Sequence, residues 1–225
     1  KTFSKSWAQK RGITLCFMAK PLVNTPGSGG HFHISLHKKE EAIFFDSKNK
    51  NYLSDCGRHF IGGLQKFMPE LLCMFCPNIN SFTRITPGYW APTSATWGYD
   101  NRTCSLRLVG DTKESIRVEN RVASADSNPY LVFSATLAAG LEGIVNKIEP
   151  TVAETGNAYE TEVIERLKFP ETLKSAAINL KKSKLAEKYF GKNFVNHFAD
   201  SRIFEEEQFR RHVSDWEMER YFEMI

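Results

Sequence analysis

The sequence has no run of 18 or more apolar residues, which excludes an α-helical membrane span. It has no long basic block. Its 30 basic and 26 acidic residues are interspersed, for a formal net charge of +4. A balance that slight argues against nucleic acid as a partner. The start, Lys1 to Trp7, lacks the apolar stretch of a signal peptide. It also lacks an initiator methionine, so the chain is expected to be a piece of a longer protein. Five cysteines at uneven spacing form no disulfide frame and point to a reducing, cytoplasmic setting. Cys73 and Cys76 make a lone CxxC with no second pair to share a metal. They end an apolar helical pattern and read as core thiols, because free Cys packs as a small hydrophobe.

What is present suits a folded domain. The 225 residues, 41% hydrophobic and 25% charged, can bury one core or one large domain with a helical appendage. Residues 1–11 read as the end of a helix, with Trp7 and Ala8 inward. Ile13 to Ala19 reads as a strand. The Pro- and Gly-rich stretch 25–30 is a loop. In the next strand, period two places His31, His33 and Ser35 on one face. Residues 58–75 keep a helical period that Pro69 should kink or restart. Arginine-bearing strands are expected near 102–109 and 116–122. Asn128-Pro129 opens a helix running to about Lys147, since Asn caps well and Pro suits the first helical position. That helix is apolar nearly all round, which predicts burial. Beyond Glu149 the chain turns polar, then forms helices at about 171–182, 184–189, 191–199 and 201–223. The last carries Phe209, Val213, Trp216 and Tyr221 as a seam.

The chemistry lies in the first part. His31, His33, Ser35, Arg102, Arg107, Arg117, Glu119 and Arg121 fall on strands, with Arg84 on a loop. Ionised groups in that number cannot be buried unpaired, because each would cost several kcal/mol. They must line a wet cleft for anions. Guanidinium forks suit phosphates and carboxylates. A histidine and a glutamate on neighbouring strands suit a divalent metal that bridges phosphate oxygens.

These residues carry a resemblance. Gly27-Ser28-Gly29-Gly30-His31-Phe32-His33-Ile34-Ser35-Leu36 is similar to the glutamine synthetase signature Gly-Ser-Gly-x-His-x-His-x-Ser-Leu. Asn80 to Leu108 resembles that family's flap and arginine strand. Arg117-Val118-Glu119-Asn120-Arg121, followed by Asn128-Pro129-Tyr130, resembles its Arg-x-Glu-x-Arg…Asn-Pro-Tyr segment, and 213–221 its closing helix. The resemblance implies an α+β fold: a curved antiparallel sheet with helices on its outer face. It implies one catalytic domain, with a sheet-bearing part at 1–149 and a helical part at 150–225. The family's small N-terminal domain is not in this chain. It implies a homo-oligomer, a dodecamer of stacked rings with sites between subunits.

By the same resemblance, His31 and Glu119 match ligands of a Mg2+ or Mn2+ ion beside ATP. Arg84 and Arg121 match residues holding glutamate, and Gly27 the loop glycine beside it. Arg102 matches the arginine of phosphoryl transfer, Arg107 and Arg117 those on the ATP phosphates, and His33 and Ser35 nucleotide contacts. Several positions depart from the pattern. Trp90 stands in Pro87-Gly88-Tyr89-Trp90-Ala91-Pro92 where the flap glutamate belongs, and an indole cannot act as a base. Glu114 replaces a lysine near the nucleotide, Pro26 an asparagine before the loop glycine, and Ala123-Ser124 a Pro-Asp pair. Such departures look most like the lengsin branch of the vertebrate eye lens. They imply a catalytically inactive protein with a structural role beside lens intermediate filaments, and no cofactor if binding has lapsed. The alternatives are an active glutamate–ammonia ligase working through γ-glutamyl phosphate, and ATP binding without turnover.

Overall fold

A computed structural model describes residues 1–49 and 51–224. The elements run α1 (Thr2–Gln9), β1 (Phe32–Ile34), β2 (His37–Lys38), β3 (Glu41–Ala42), α2 (Asp55–Phe75) and α3 (Ile79–Arg84). Next come β4 (Trp97–Tyr99), β5 (Leu106–Val109), β6 (Arg117–Asn120) and α4 (Pro129–Val145). The helical part adds α5 (Leu173–Lys182), α6 (Lys184–Phe190), α7 (Lys192–Arg210) and α8 (Asp215–Tyr221).

The main sheet has the order β1-β6-β5-β4. β6 is antiparallel to both neighbours, but β4 and β5 run parallel, so the sheet is mixed rather than purely antiparallel. Alternation gives each strand two chemistries. Ile34, Leu106, Leu108 and Val118 point into the core, and His33, Arg107, Arg117 and Glu119 occupy the other face.

α2 is the spine of the core. The Ser54 side chain caps it by accepting from the Gly57 amide at 3.1 Å, and Asp55 suits the positive end of the helix. It runs unbroken through Pro69, against the expected kink. A missing N–H costs one ladder bond, which the burial of Phe60, Leu64, Met68, Leu71 and Leu72 offsets. α2 crosses α4 at Gly63 and Gly143, where a Cβ on either would lie 2.6 Å from the other's Cα. Glycine there lets two backbones touch.

α4 starts as expected, with the Tyr130 amide donating to Asn128 Oδ1 at 3.0 Å. It is not buried all round: Tyr130, Phe133, Leu137, Leu141 and Val145 form an exposed stripe. Ile13 to Ala19 forms no strand, because it has no ladder partner among the described residues. Ala8 is buried, whereas Trp7 lies outside under the Arg11 guanidinium, 3.8 Å from its ring. The break expected near 200 is absent. Ser201 donates to the Phe198 carbonyl at 2.7 Å, so its hydroxyl stays within α7. The helix ends instead before Ser214, whose capping box with Glu217 opens α8. Phe209, Val213, Trp216 and Tyr221 are all exposed and form no internal seam.

The helical part shares the core. Leu173, Leu180, Val195 and Ala199 join the cluster built on α2, and the Ala95 amide donates to the Leu167 carbonyl at 2.8 Å.

Candidate active site

Glu119 is the hub of the polar sheet face. Register places it opposite His33 on one side and Arg107 on the other. Its Oε1 lies 2.9 Å from His31 Nδ1, 3.7 Å from His33 Nε2 and 3.2 Å from Arg121 Nη1. Its Oε2 accepts from Arg107 Nη1 at 3.0 Å. Burial alone would push this carboxyl up. Hydrogen bonds from His31 and Arg107, with the Arg121 charge, outweigh that and hold it at about 2. Arg117 donates from Nε to His33 Nδ1 at 3.2 Å and from Nη1 to the Ser115 carbonyl at 2.6 Å. That bond leaves the His33 proton on Nε2, facing Glu119. Burial lowers the His33 pKa and the Arg117 charge adds to it, against the pull of Glu119, so the ring is neutral at pH 7.

The structure thus brings together His31, His33, Arg107, Arg117, Glu119 and Arg121. Ser35 lies past the end of β1, 3.4 Å from His37 Nε2. Arg102 is not on a strand: it lies exposed in the turn between β4 and β5, since pairing begins only at Leu106. Arg84 lies not on a loop but in the last turn of α3, buried, with its fork on the carbonyls of Val122 (2.8 Å) and Arg121 (3.2 Å). The loop glycines make room for it. A Cβ on Gly27 would meet Arg84 Cγ at 2.6 Å, and one on Gly29 would meet Arg84 Nη2 at 2.8 Å.

The flap turn is strained. Trp90 has φ 61° and Gly88 φ 85°. A bulky residue in the left-handed region costs about 1–3 kcal/mol and is characteristic of functional loops. The Trp90 side chain is 61% exposed. Glu114 and Pro26 are exposed as well, whereas Ala123 and Ser124 are fully buried. Ser124 bridges Gly29, and its amide donates to the Phe75 carbonyl at 3.1 Å, tying the loop to the end of α2.

Four residues went unread in the sequence. Asp100 accepts from Arg107 Nε at 2.9 Å and orients that guanidinium toward Glu119. Lys20 places Nζ 4.0 Å from the Tyr89 ring and pins the base of the flap. Asp126 accepts from Ser81 and Asn78. Tyr159 lies near Arg84 and Arg121. An Asp just past Trp-Gly-Tyr, beside an arginine strand, was a usable signal for the first. The others depend on distant segments meeting.

His31 and Glu119 offer an imidazole and a carboxylate at contact distance, a donor pair that fits Mg2+ or Mn2+. No group of three or more His, Cys, Asp or Glu suited to a metal occurs among the described residues. These two would therefore hold an ion only with ligands from elsewhere.

The family model for the glutamine synthetase catalytic domain matches residues 1–221. The chain belongs to the glutamine synthetase family. It is 41% identical over 231 residues to type-1 glutamine synthetase 2 of Dictyostelium discoideum, covering 100% of this chain and 44% of that one. It is 38% identical over 222 residues to glutamate–isopropylamine ligase of Pseudomonas sp, covering 98% and 48%. It is also 38% identical over 231 residues to gamma-glutamylethanolamide synthetase GlnA4 of Streptomyces coelicolor, covering 100% and 47%. The solved structure of a GmaS/ADP complex superposes with a TM-score of 0.88 at 28% identity, over 98% of this chain and 52% of that one. The chain spans about half the length of these relatives.

Proposed function

We propose that the native-length protein is an ATP-dependent γ-glutamyl ligase whose acceptor is an alkyl amine rather than ammonia. The observation that carries this is Trp90: a neutral, exposed indole stands at the flap position where the family resemblance implies a glutamate. A carboxylate favours a small cation, whereas an indole offers an apolar face to an alkyl chain. Similarity to ligases named for isopropylamine and ethanolamide supports the same reading.

In this reading the γ-phosphoryl group of ATP passes to the glutamate side-chain carboxylate, giving an acyl phosphate and ADP. The amine nitrogen then attacks the acyl carbon, the carbon–oxygen bond to phosphate breaks, and the released phosphate takes up the amine proton. Arg107 and Arg117 hold nucleotide phosphates, with His33 and Ser35 near the nucleotide. Arg121 and Arg84 face glutamate beside Gly27, Arg84 by way of the loop it supports. Arg102, free in its turn, swings onto the transferring phosphoryl group. A divalent ion on His31 and Glu119 would neutralise phosphate charge when bound. The family's homo-oligomeric state is carried over with the same reading.

A second reading is a non-catalytic relative with a structural role, for which a lens intermediate-filament setting was expected. Trp90, Pro26 and Glu114, taken as losses, favour it. The named relatives are ligases, and they lend the lens setting no support.

The test is ADP release by the native-length protein with ATP, Mg2+ or Mn2+, glutamate, and ammonium, isopropylamine or ethanolamine. Turnover greater with an alkyl amine than with ammonium is expected, and W90E should shift preference back toward ammonium. Turnover with ammonium alone would sink the acceptor assignment. Silence with every amine would favour the non-catalytic reading.

A further inference from the structure

We infer that Asp100 competes with a nucleotide phosphate for the Arg107 guanidinium and so sets how tightly nucleotide is held. The inference rests on the reading above, which places Arg107 on nucleotide phosphates and gives Asp100 no part.

Arg107 stands between two carboxylates of different kinds. Buried Glu119 accepts from its Nη1 at 3.0 Å. Asp100 accepts from Nε at 2.9 Å and from Nη2 as well, so it holds the two-donor side of the fork. The Asp100 side chain is 77% exposed, against 3% for Glu119. The side of the guanidinium that a solvent-borne anion can reach is therefore the side that Asp100 covers. A carboxylate accepts from the same N–H groups that a phosphate would use, and two anions on one edge repel.

The balance of charge points the same way. Arg107, Arg117 and Arg121 gather around His33 and Glu119, an excess of positive charge that suits phosphates. An exposed pair such as Asp100–Arg107 adds little to stability, but its carboxylate lowers the positive potential that a phosphate meets. The turn does not depend on that pair. Asn101 fixes it by donating to the carbonyls of Glu154 at 3.2 Å and Gly156 at 2.8 Å. Asp100 also has φ 48°, in the left-handed region, which Asp and Asn accept better than most residues and Gly best of all. That backbone would suit glycine; what aspartate brings to it is the carboxylate.

The experiment measures the Kd of ADP with Mg2+ by calorimetry, on the native-length protein and two variants. Asp100→Asn keeps an oxygen that can accept from Arg107 Nε and removes the charge. Asp100→Gly removes the side chain and suits the positive φ. Both should bind ADP about three- to fivefold tighter, the size of one exposed charge pair, and the gain should shrink at high salt. KM for ATP should fall in step, with KM for glutamate and melting temperature little changed. If Asp100 serves only to aim Arg107, Asp100→Gly will bind ADP more weakly than the parent, which overturns the inference. Equal affinity in all three proteins also overturns it, as does no detectable ADP binding by any of them. Tighter ADP binding by both variants without turnover on any amine upholds the inference while the ligase reading falls. Turnover with unchanged ADP affinity does the reverse.

Discussion

At the scale of the residue, Glu119 carries more than its proposed ligand role requires. It is almost fully buried, and two arginines and a histidine depend on it. Glu119→Gln keeps the shape but strands Arg107 and Arg121 without their counter-charge. Removing one partner from such a cluster typically costs about 3–5 kcal/mol. The denaturant midpoint should fall accordingly, with an unchanged m-value. The cysteines make a second prediction. Burial raises the Cys73 and Cys76 thiols to about 12 and Cys104 to about 11. Only the thiolate reacts, and stability at pH 8 keeps these three protonated and covered. A thiol reagent at pH 8 should label exposed Cys16 at once and half-buried Cys56 slowly. The other three should react only on unfolding. Prompt reaction of Cys73 would mean that the C-terminal end of α2 opens far more readily than its packing allows.

At the scale of the element, the crossing of α2 and α4 is the least forgiving contact. A Cβ on Gly143 would lie 2.2 Å from the His59 carbonyl oxygen. Gly143→Ala must separate the helices and should lower stability by about 3 kcal/mol, read as a fall in melting temperature. Substitution at Gly156, where an added Cβ meets nothing within 4 Å, should cost far less and serves as the control. The elements also show what a sequence can tell. The His-x-His strand, the Asn128 cap and the Arg-x-Glu-x-Arg strand were legible because period and capping are local. The parallel β4–β5 pair was not, because strand direction is set by a crossover and leaves no period. Ile13–Ala19 looked like a strand because it is apolar, yet strand identity needs a partner. Pro69 looked like a break because its cost is local and the packing that offsets it is not. The polar face was readable residue by residue, but its wiring, with Glu119 at the hub and Arg84 turned to carbonyls, required three strands and a helix to meet.

At the scale of the whole molecule, apolar side chains stand uncovered, and two groups of them among the described residues lie on helices or at a helix end. One is the α4 stripe of Tyr130, Phe133, Leu137 and Val145; the other, around α8, carries Trp216, Phe222 and Met224. Contiguous apolar surface of this kind is usually covered in a working assembly. The isolated chain should therefore self-associate as concentration rises in size-exclusion chromatography with light scattering. Leu137→Glu with Trp216→Glu should return it to a single copy. A parent chain that stays monomeric at high concentration would mean that these faces need no cover. The Gly27–Gly30 loop, finally, bears on the order of folding events. Arg84 runs beneath that loop and grips carbonyls just beyond β6, so the loop cannot seat until α3 has docked and β6 has formed. Its amides, such as Gly30 donating to the Ala123 carbonyl at 2.8 Å, should therefore be among the first in the site to lose protection in hydrogen exchange. The segment that most resembles a ready-made phosphate cradle thus owes its shape to Arg84 and to the chain just beyond β6 rather than to its own backbone.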